Sequence, residues 1–337
     1  PTRTLGTGRS GMDARLLGTN SWAQPRLLLL LLGLLREGSG LRSRPASGTS
    51  FSGSLHALSA QQRLQLALPI SWVHVPKTGS SIMNAVMGLP GVCLGSPRNV
   101  QDRLCSEANP ACDAVRFTIE HGIAQRSTMA TPKSCPGIAR WSWHAGFDKQ
   151  YQAGHKGHGL IMLRQPEQRL LAGYYNPGDH HGWKPQWGEP ASIPAYAKLV
   201  QGVGVKSLTR WTDHYSWLGP PSEAETLEAV KRLREGFVFV GITEETELSV
   251  CLLHAMFGGE CEPWEFGRWH LSKYKNASAS WDVSELEGFR DAGDRALFAE
   301  AMRIFRENLD LYGASRESCL PCFRRGGVPL EHVARIG

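Results

Sequence analysis

Three apolar runs, at 72–75 (broken by His74), 159–163 and 237–242, are each followed within a few residues by a segment of helical periodicity. A strand that alternates apolar and polar residues keeps one face in water. A strand that is apolar throughout needs cover on both faces. Repeated strand-then-helix units of that kind predict an α/β domain in three layers, a central parallel sheet with helices above and below. The helices are expected over residues 80–89, ended by Pro90, over 167–175, and after Thr243, a candidate cap, with Leu248, Leu252 and Met256 on one face. A strongly amphipathic segment, 294–311, stopped by Gly313, reads as the last long helix.

The 337 residues allow one large domain with insertions, and no internal repeat divides them. A hydrophobic content of 41% and a charged content of 20% exclude a disordered chain. The ordered domain is expected over residues 55–322, with loop-rich insertions near 93–135 and 177–219 and a C-terminal tail from 323. Residues 27–35 form an apolar run preceded by Arg15 and Arg26. The run is shorter than the roughly 20 residues of a spanning helix. It suits the core of a secretory signal or a signal anchor. A Gly/Ser/Arg-rich stem follows to residue 54, so the chain is expected in the Golgi lumen, with an N-terminal membrane anchor, or secreted. The sequon at Asn276 fits a lumenal glycoprotein. The even count of eight cysteines points to disulfides, with Cys105–Cys112 and Cys251–Cys261 flanking short loops. Cys319-x-x-Cys322 has no second pair at zinc spacing, and no metal is expected.

The first apolar run passes straight into Pro76-Lys77-Thr78-Gly79-Ser80-Ser81 and then into a helix. Backbone N–H groups at such a turn can point at an anion, Gly79 lets the backbone approach it closely, Lys77 adds a full charge, and the three hydroxyls add donors. The order differs from the nucleotide triphosphate loop, in which the lysine follows the glycine. The second run ends at Arg164, followed by Pro166 and a helix carrying Arg169 and Ala172. An arginine at a strand's carboxyl edge suits a bidentate phosphate contact. A net charge of +6 fits an anionic partner without choosing among nucleic acid, acidic polysaccharide and a phosphorylated small molecule.

Together, His74 to Ser81 and Leu163 to Tyr174 resemble the 5′-phosphosulfate loop and the 3′-phosphate motif of the Golgi polysaccharide sulfotransferases. The stretch 237–247 and the helix from Asp294 are similar to further segments of that family. The resemblance implies a P-loop-like three-layer fold and, as co-substrate, 3′-phosphoadenosine 5′-phosphosulfate. It further implies a carbohydrate acceptor, an anionic polysaccharide by preference, with no nucleic acid and no metal. Lys77, Thr78, Gly79, Ser80, Ser81 and Arg164 would hold the donor. Lys273 and Lys275 fall on the loop that closes over it in similar enzymes. The chain departs from the family pattern at Gln165, usually an acid, and at Ala172, usually a serine that helps hold the 3′-phosphate.

Sulfuryl transfer also needs a base. His144, in His144-Ala145-Gly146-Phe147, resembles the setting of the family's base, and imidazole suits proton removal near neutrality. His121 is the second candidate. His180 and His181 lie in the 177–219 insertion with Trp183, Trp187, Trp211, Trp217, Lys184, Lys206 and Arg210. Aromatic faces beside cations suit an anionic sugar chain, and equally the tryptophans could plug the core of a loop-rich region. Two other readings stay open: a sulfotransferase-like glycan-binding protein with weak turnover, and a phosphate-loop kinase.

Overall fold

The computed structural model of the chain describes residues 49–93, 135–141, 144–176, 183, 188–212, 218–266 and 280–329. From Thr49 onward they belong to one compact unit. Its centre is a four-stranded sheet of β1 (Ile70–Val73), β2 (Ile138–Trp141), β3 (Gly159–Leu163) and β4 (Phe237–Ile242), in the order β2-β1-β3-β4. Every pairing is parallel, with Trp72 opposite Leu160 and Leu163 opposite Ile242. All residues of β1, β3 and β4 are buried, as their continuous apolar character requires of a sheet covered on both faces. β2 lies at the edge and has no apolar run of its own in the sequence, which is why it escaped notice.

Among the described residues the helices of six or more residues are α1 (Ala60–Ala67), α2 (Ile82–Gly88), α3 (Pro166–Tyr174), α4 (Ile193–Val200), α5 (Val203–Thr209), α6 (Glu223–Gly236), α7 (Thr246–Phe257), α8 (Ala292–Leu311) and α9 (Leu320–Arg325). They complete a three-layer α/β/α arrangement. Ser59 and Ser222 open α1 and α6 with reciprocal capping boxes to Gln62 and Glu225. α7 is apolar nearly all round and mostly buried, whereas α8 buries one face, the stripe of Leu297, Ala301, Ile304 and Phe305 with Asp294, Glu300 and Asn308. A smaller second core forms where α3 meets α4, from Leu170, Leu171, Ala172, Trp183, Tyr196 and Trp281 among others. Residues 49–54 join the unit through Ser52, whose carbonyl accepts from Tyr312 Oη at 2.6 Å and whose hydroxyl bonds Asn308 Nδ2 at 2.9 Å.

Three sequence expectations are corrected. Among the described residues no helix is long and apolar enough to cross a membrane, which corrects the membrane assignment as far as those residues go. The longest, α8, has 20 residues but carries charges along its outer face; the apolar run 27–35 lies outside the described residues. Thr243 is not a helix cap, because Thr243–Glu245 form a 3₁₀ turn and α7 begins only at Thr246. Disulfides are present, joining Cys93–Cys135, Cys251–Cys319 and Cys261–Cys322. Cys251 and Cys261 therefore do not close their own short loop. Cys251 sits mid-way along α7, and the Cys319-x-x-Cys322 spacing lets α9 reach both it and the strand of chain that follows α7. Cys105 and Cys112 lie outside the described residues.

Candidate functional site

In the order β2-β1-β3-β4 the chain leaves β1 towards one side for β2 and returns to the other side for β3. The connections at the carboxyl ends of β1 and β3 therefore diverge. A crevice at that point is where open α/β sheets bind ligands. The two sequence motifs meet there, His74 to Ser81 after β1 and Arg164 after β3, with Thr243 and Glu244 arriving from the end of β4.

The loop is held by its own backbone and by β4. Lys77 has φ of 65° and Gly79 has φ of 87°, both in the left-handed region. At Gly79 only a residue without a β-carbon adopts this freely; Lys77 tolerates it because neighbours fix the turn. Thr78 is buried, and its hydroxyl donates to the Val75 carbonyl at 2.8 Å, so it staples the turn instead of facing a ligand. The Thr243 hydroxyl donates to the carbonyl of Thr78 at 2.7 Å and to that of Leu163 at 3.1 Å, tying the ends of β1, β3 and β4 into one rim. Ser80 and Ser81 are half-buried, and Ser81 makes no side-chain capping bond at the start of α2.

Two cations converge on this rim. Arg164 Nη1 donates to the Lys77 carbonyl at 3.4 Å, and its Nε lies 3.8 Å from Glu244 Oε1. Lys77 Nζ donates to Asn176 Oδ1 at 2.8 Å. Burial draws the Arg164 guanidinium below its ordinary pKa, and burial likewise raises the Glu244 carboxyl. Glu244 Oε1 also accepts from the Gln165 N–H at 3.0 Å. Gln165 itself caps α3, its amide oxygen accepting from the Gln168 N–H at 2.7 Å. Asn176, Thr243 and Glu244 were not read as site residues; the signal available was position, each standing one or two residues beyond a strand or helix that carries a motif.

His144 is buried with φ of 55°, and its ring lies 4.5 Å from that of His74, which stacks on Trp72 at 4.3 Å. His74 packs beneath the loop, and His144 is brought against the loop's entry. Backbone bonds from Gly146 to Thr212 and from Phe147 to Ser207 hold the segment in place.

The remaining candidates separate. Ala172 lies in the second apolar core. Trp183 is in the same core, its Nε1 donating to the Gly188 carbonyl at 2.8 Å, so it follows the packing alternative. Arg210 is not an open cation. Its guanidinium grips Glu225 at 2.7 and 3.2 Å and, as the largest influence, holds that carboxyl down to about 2. Lys206 is wholly buried, donating to the backbone carbonyls of Gln201 and Gly219. Trp211 is 58% exposed, with Lys149 Nζ 4.1 Å above its ring. Arg169 is enclosed and faces Asp294 at 3.5 Å and Asp291 at 3.9 Å, a structural ion cluster under α3. His121, His180, His181, Lys184, Lys273, Lys275, Trp187, Trp217 and Asn276 lie outside the described residues.

Comparison with protein-family models, with curated proteins and with solved structures finds no match. The generic α/β arrangement is one compatible with nucleotide- and ligand-binding enzymes, and its rim presents an ammonium, a guanidinium and hydroxyls suited to an anionic group.

Proposed function

We propose that the chain is a sulfotransferase moving a sulfuryl group from 3′-phosphoadenosine 5′-phosphosulfate to a carbohydrate hydroxyl. The observation that carries the reading is the meeting of Lys77 and Arg164 at the β1/β3 crevice, the two cations joined through the Lys77 carbonyl at 3.4 Å although 87 residues separate them. A 5′-phosphosulfate at the 77–81 loop and a 3′-phosphate at Arg164 would use both. The capping role of Gln165 supports the reading at a departure from the family pattern, since an amide oxygen does there what a carboxylate would. Three disulfides support an oxidising compartment such as the secretory lumen.

In the reaction the acceptor oxygen attacks sulfur, the bond from sulfur to the bridging phosphate oxygen breaks, and adenosine 3′,5′-bisphosphate leaves. Lys77 stabilises the charge on that oxygen, and His144 takes the acceptor proton. Positioning and electrostatics carry most of such a reaction. The test pairs calorimetric titration of adenosine 3′,5′-bisphosphate against adenosine 5′-monophosphate with transfer of labelled sulfate to a panel of acidic polysaccharides. The bisphosphate is expected to bind tighter, and Arg164→Ala to erase that preference. Equal binding of the two nucleotides by the native chain, with no sulfate incorporation, would overturn the reading.

A further inference from the structure

The Cys261–Cys322 disulfide has a cysteine, Cys261, in one cluster with His254 and Glu265, and one carboxylate oxygen of Glu265 is left without a partner among the described residues. His254, in the last turn of α7, turns Nδ1 to the Gly258 carbonyl at 3.1 Å and Nε2 to Glu265 Oε2 at 2.8 Å. A carbonyl only accepts, so Nδ1 carries a proton, and a further proton has to lie between Nε2 and the carboxylate. Glu265 is 1% exposed. Its Oε2 also accepts from the Glu262 N–H at 3.1 Å, while Oε1 is buried with no hydrogen-bond partner among the described residues. α2 ends against that oxygen: a β-carbon at Gly88 would come within 2.6 Å of it. An uncompensated buried carboxylate oxygen is costly, and such a group calls for an explanation.

Ligand atoms of His254, Cys261 and Glu265 all lie within 4.8 Å of one another. Cys322 Sγ is bonded to Cys261 Sγ at 2.01 Å and would supply a fourth ligand once the disulfide opens. We propose that the reduced chain binds Zn²⁺ through His254, Cys261, Glu265 and Cys322, so that the disulfide and the metal are alternative occupants of one site. Zinc takes four such ligands tetrahedrally, two thiolates and an imidazole being a common part of the set. A ligating histidine ordinarily donates its other ring N–H to a carbonyl, as Nδ1 does here. The metal would replace the proton between His254 and Glu265. Cys319-x-x-Cys322 alone gave no zinc signal, because the partners come from α7 and the turn after it and not from a second cysteine pair.

The exchange balances as follows. A dithiol reductant supplies two electrons and two protons, the S–S bond breaks, the reductant closes to its own disulfide, and Cys261 and Cys322 become thiols. Zinc binding then releases both thiol protons and the one between His254 and Glu265. The two sulfurs must move apart to about 3.8 Å, the separation set by Zn–S bonds of about 2.3 Å at a tetrahedral centre.

The experiment titrates Co²⁺, then Zn²⁺, into the full chain before and after dithiol reduction, following thiolate-to-cobalt charge transfer and the visible bands of tetrahedral cobalt. The oxidised chain should show neither, and the reduced chain one cobalt that zinc displaces. His254→Asn and Glu265→Gln should each weaken binding at least tenfold. Cys322→Ser separates metal binding from any unfolding on reduction, because it frees the Cys261 thiol while Cys93–Cys135 and Cys251–Cys319 stay closed. It should show charge transfer without reductant. Cobalt binding to the reduced chain that is indifferent to His254 and Glu265, or no charge transfer in oxidised Cys322→Ser, overturns the proposal.

Discussion

Thr243→Val tests whether the site is a single rim or three independent loops. Valine matches threonine in shape and replaces only the hydroxyl, whose one proton is shared between the Thr78 and Leu163 carbonyls. Losing a hydrogen bond and leaving a partly buried acceptor unpaired costs about 1–3 kcal/mol. For a chain of this size, with a urea slope of about 3 kcal/mol/M, the midpoint should fall by about 0.3–1 M. The same change releases the 77–81 loop from β4, so anion binding at the rim should weaken beyond what the lost stability explains. Urea unfolding followed by tryptophan fluorescence reads the first effect, and calorimetric titration with adenosine 3′,5′-bisphosphate reads the second. Thr243→Ser keeps the donor and should restore both. A valine variant with native midpoint and native binding would mean that the Thr243 hydroxyl ties nothing together.

Lys77→Ala should leave folding intact and lower the transfer rate by about 10²–10³, the usual loss when one donor to developing charge is removed; near-native turnover would exclude its role. Gly79→Ala should cost about 1–2 kcal/mol by the left-handed conformation alone, because a β-carbon there meets Thr243 Oγ1 only at an ordinary 3.6 Å; thermal unfolding decides. Burial and the neighbouring Asp294 carboxylate push Asp291 up to about 7 from its ordinary 3.8. The folded chain then holds a proton that the unfolded chain has lost between those values. Stability should therefore fall as pH rises from about 4 to 7 and level off above it. Asp291→Asn should flatten that slope in urea melts taken across the range, and an unchanged slope would count against the shift.

What could be read from the chain and what could not divides along a physical line. Apolar runs at 159–163 and 237–242 gave β3 and β4 to the residue, because a strand buried on both faces is a local composition. Pro166 and Gly313 marked helix ends for equally local reasons. β2, which shelters at the edge through its pairing with β1, carries no such composition and was missed. The site shows the same division. Lys77, Gly79 and Arg164 stand in motifs, where spacing along the chain reports geometry. Thr243 and Asn176 act on residues 165 and 99 positions away, and only the parallel register of the strands brings them there.

The cations in the 177–219 insertion carry this division one step further. Lys206 and Arg210 were read among cations that, beside aromatic faces, suit an anionic sugar chain. Each proves to be taken up by the fold: Lys206 on backbone carbonyls, with burial lowering its ammonium to about 8, and Arg210 on Glu225, the capping-box partner of Ser222 at the start of α6. A charge count along the sequence therefore overstates what the surface offers an anion. Among the described residues Lys77 and Arg164 bring positive charge to the crevice, Lys77 bonded to Asn176 and Arg164 beside Glu244. An anion that binds there competes with Asn176 for Lys77 and with Glu244 for Arg164. Both competitors already stand in hydrogen-bonding or ion-pair positions, so an incoming anion would have to displace them.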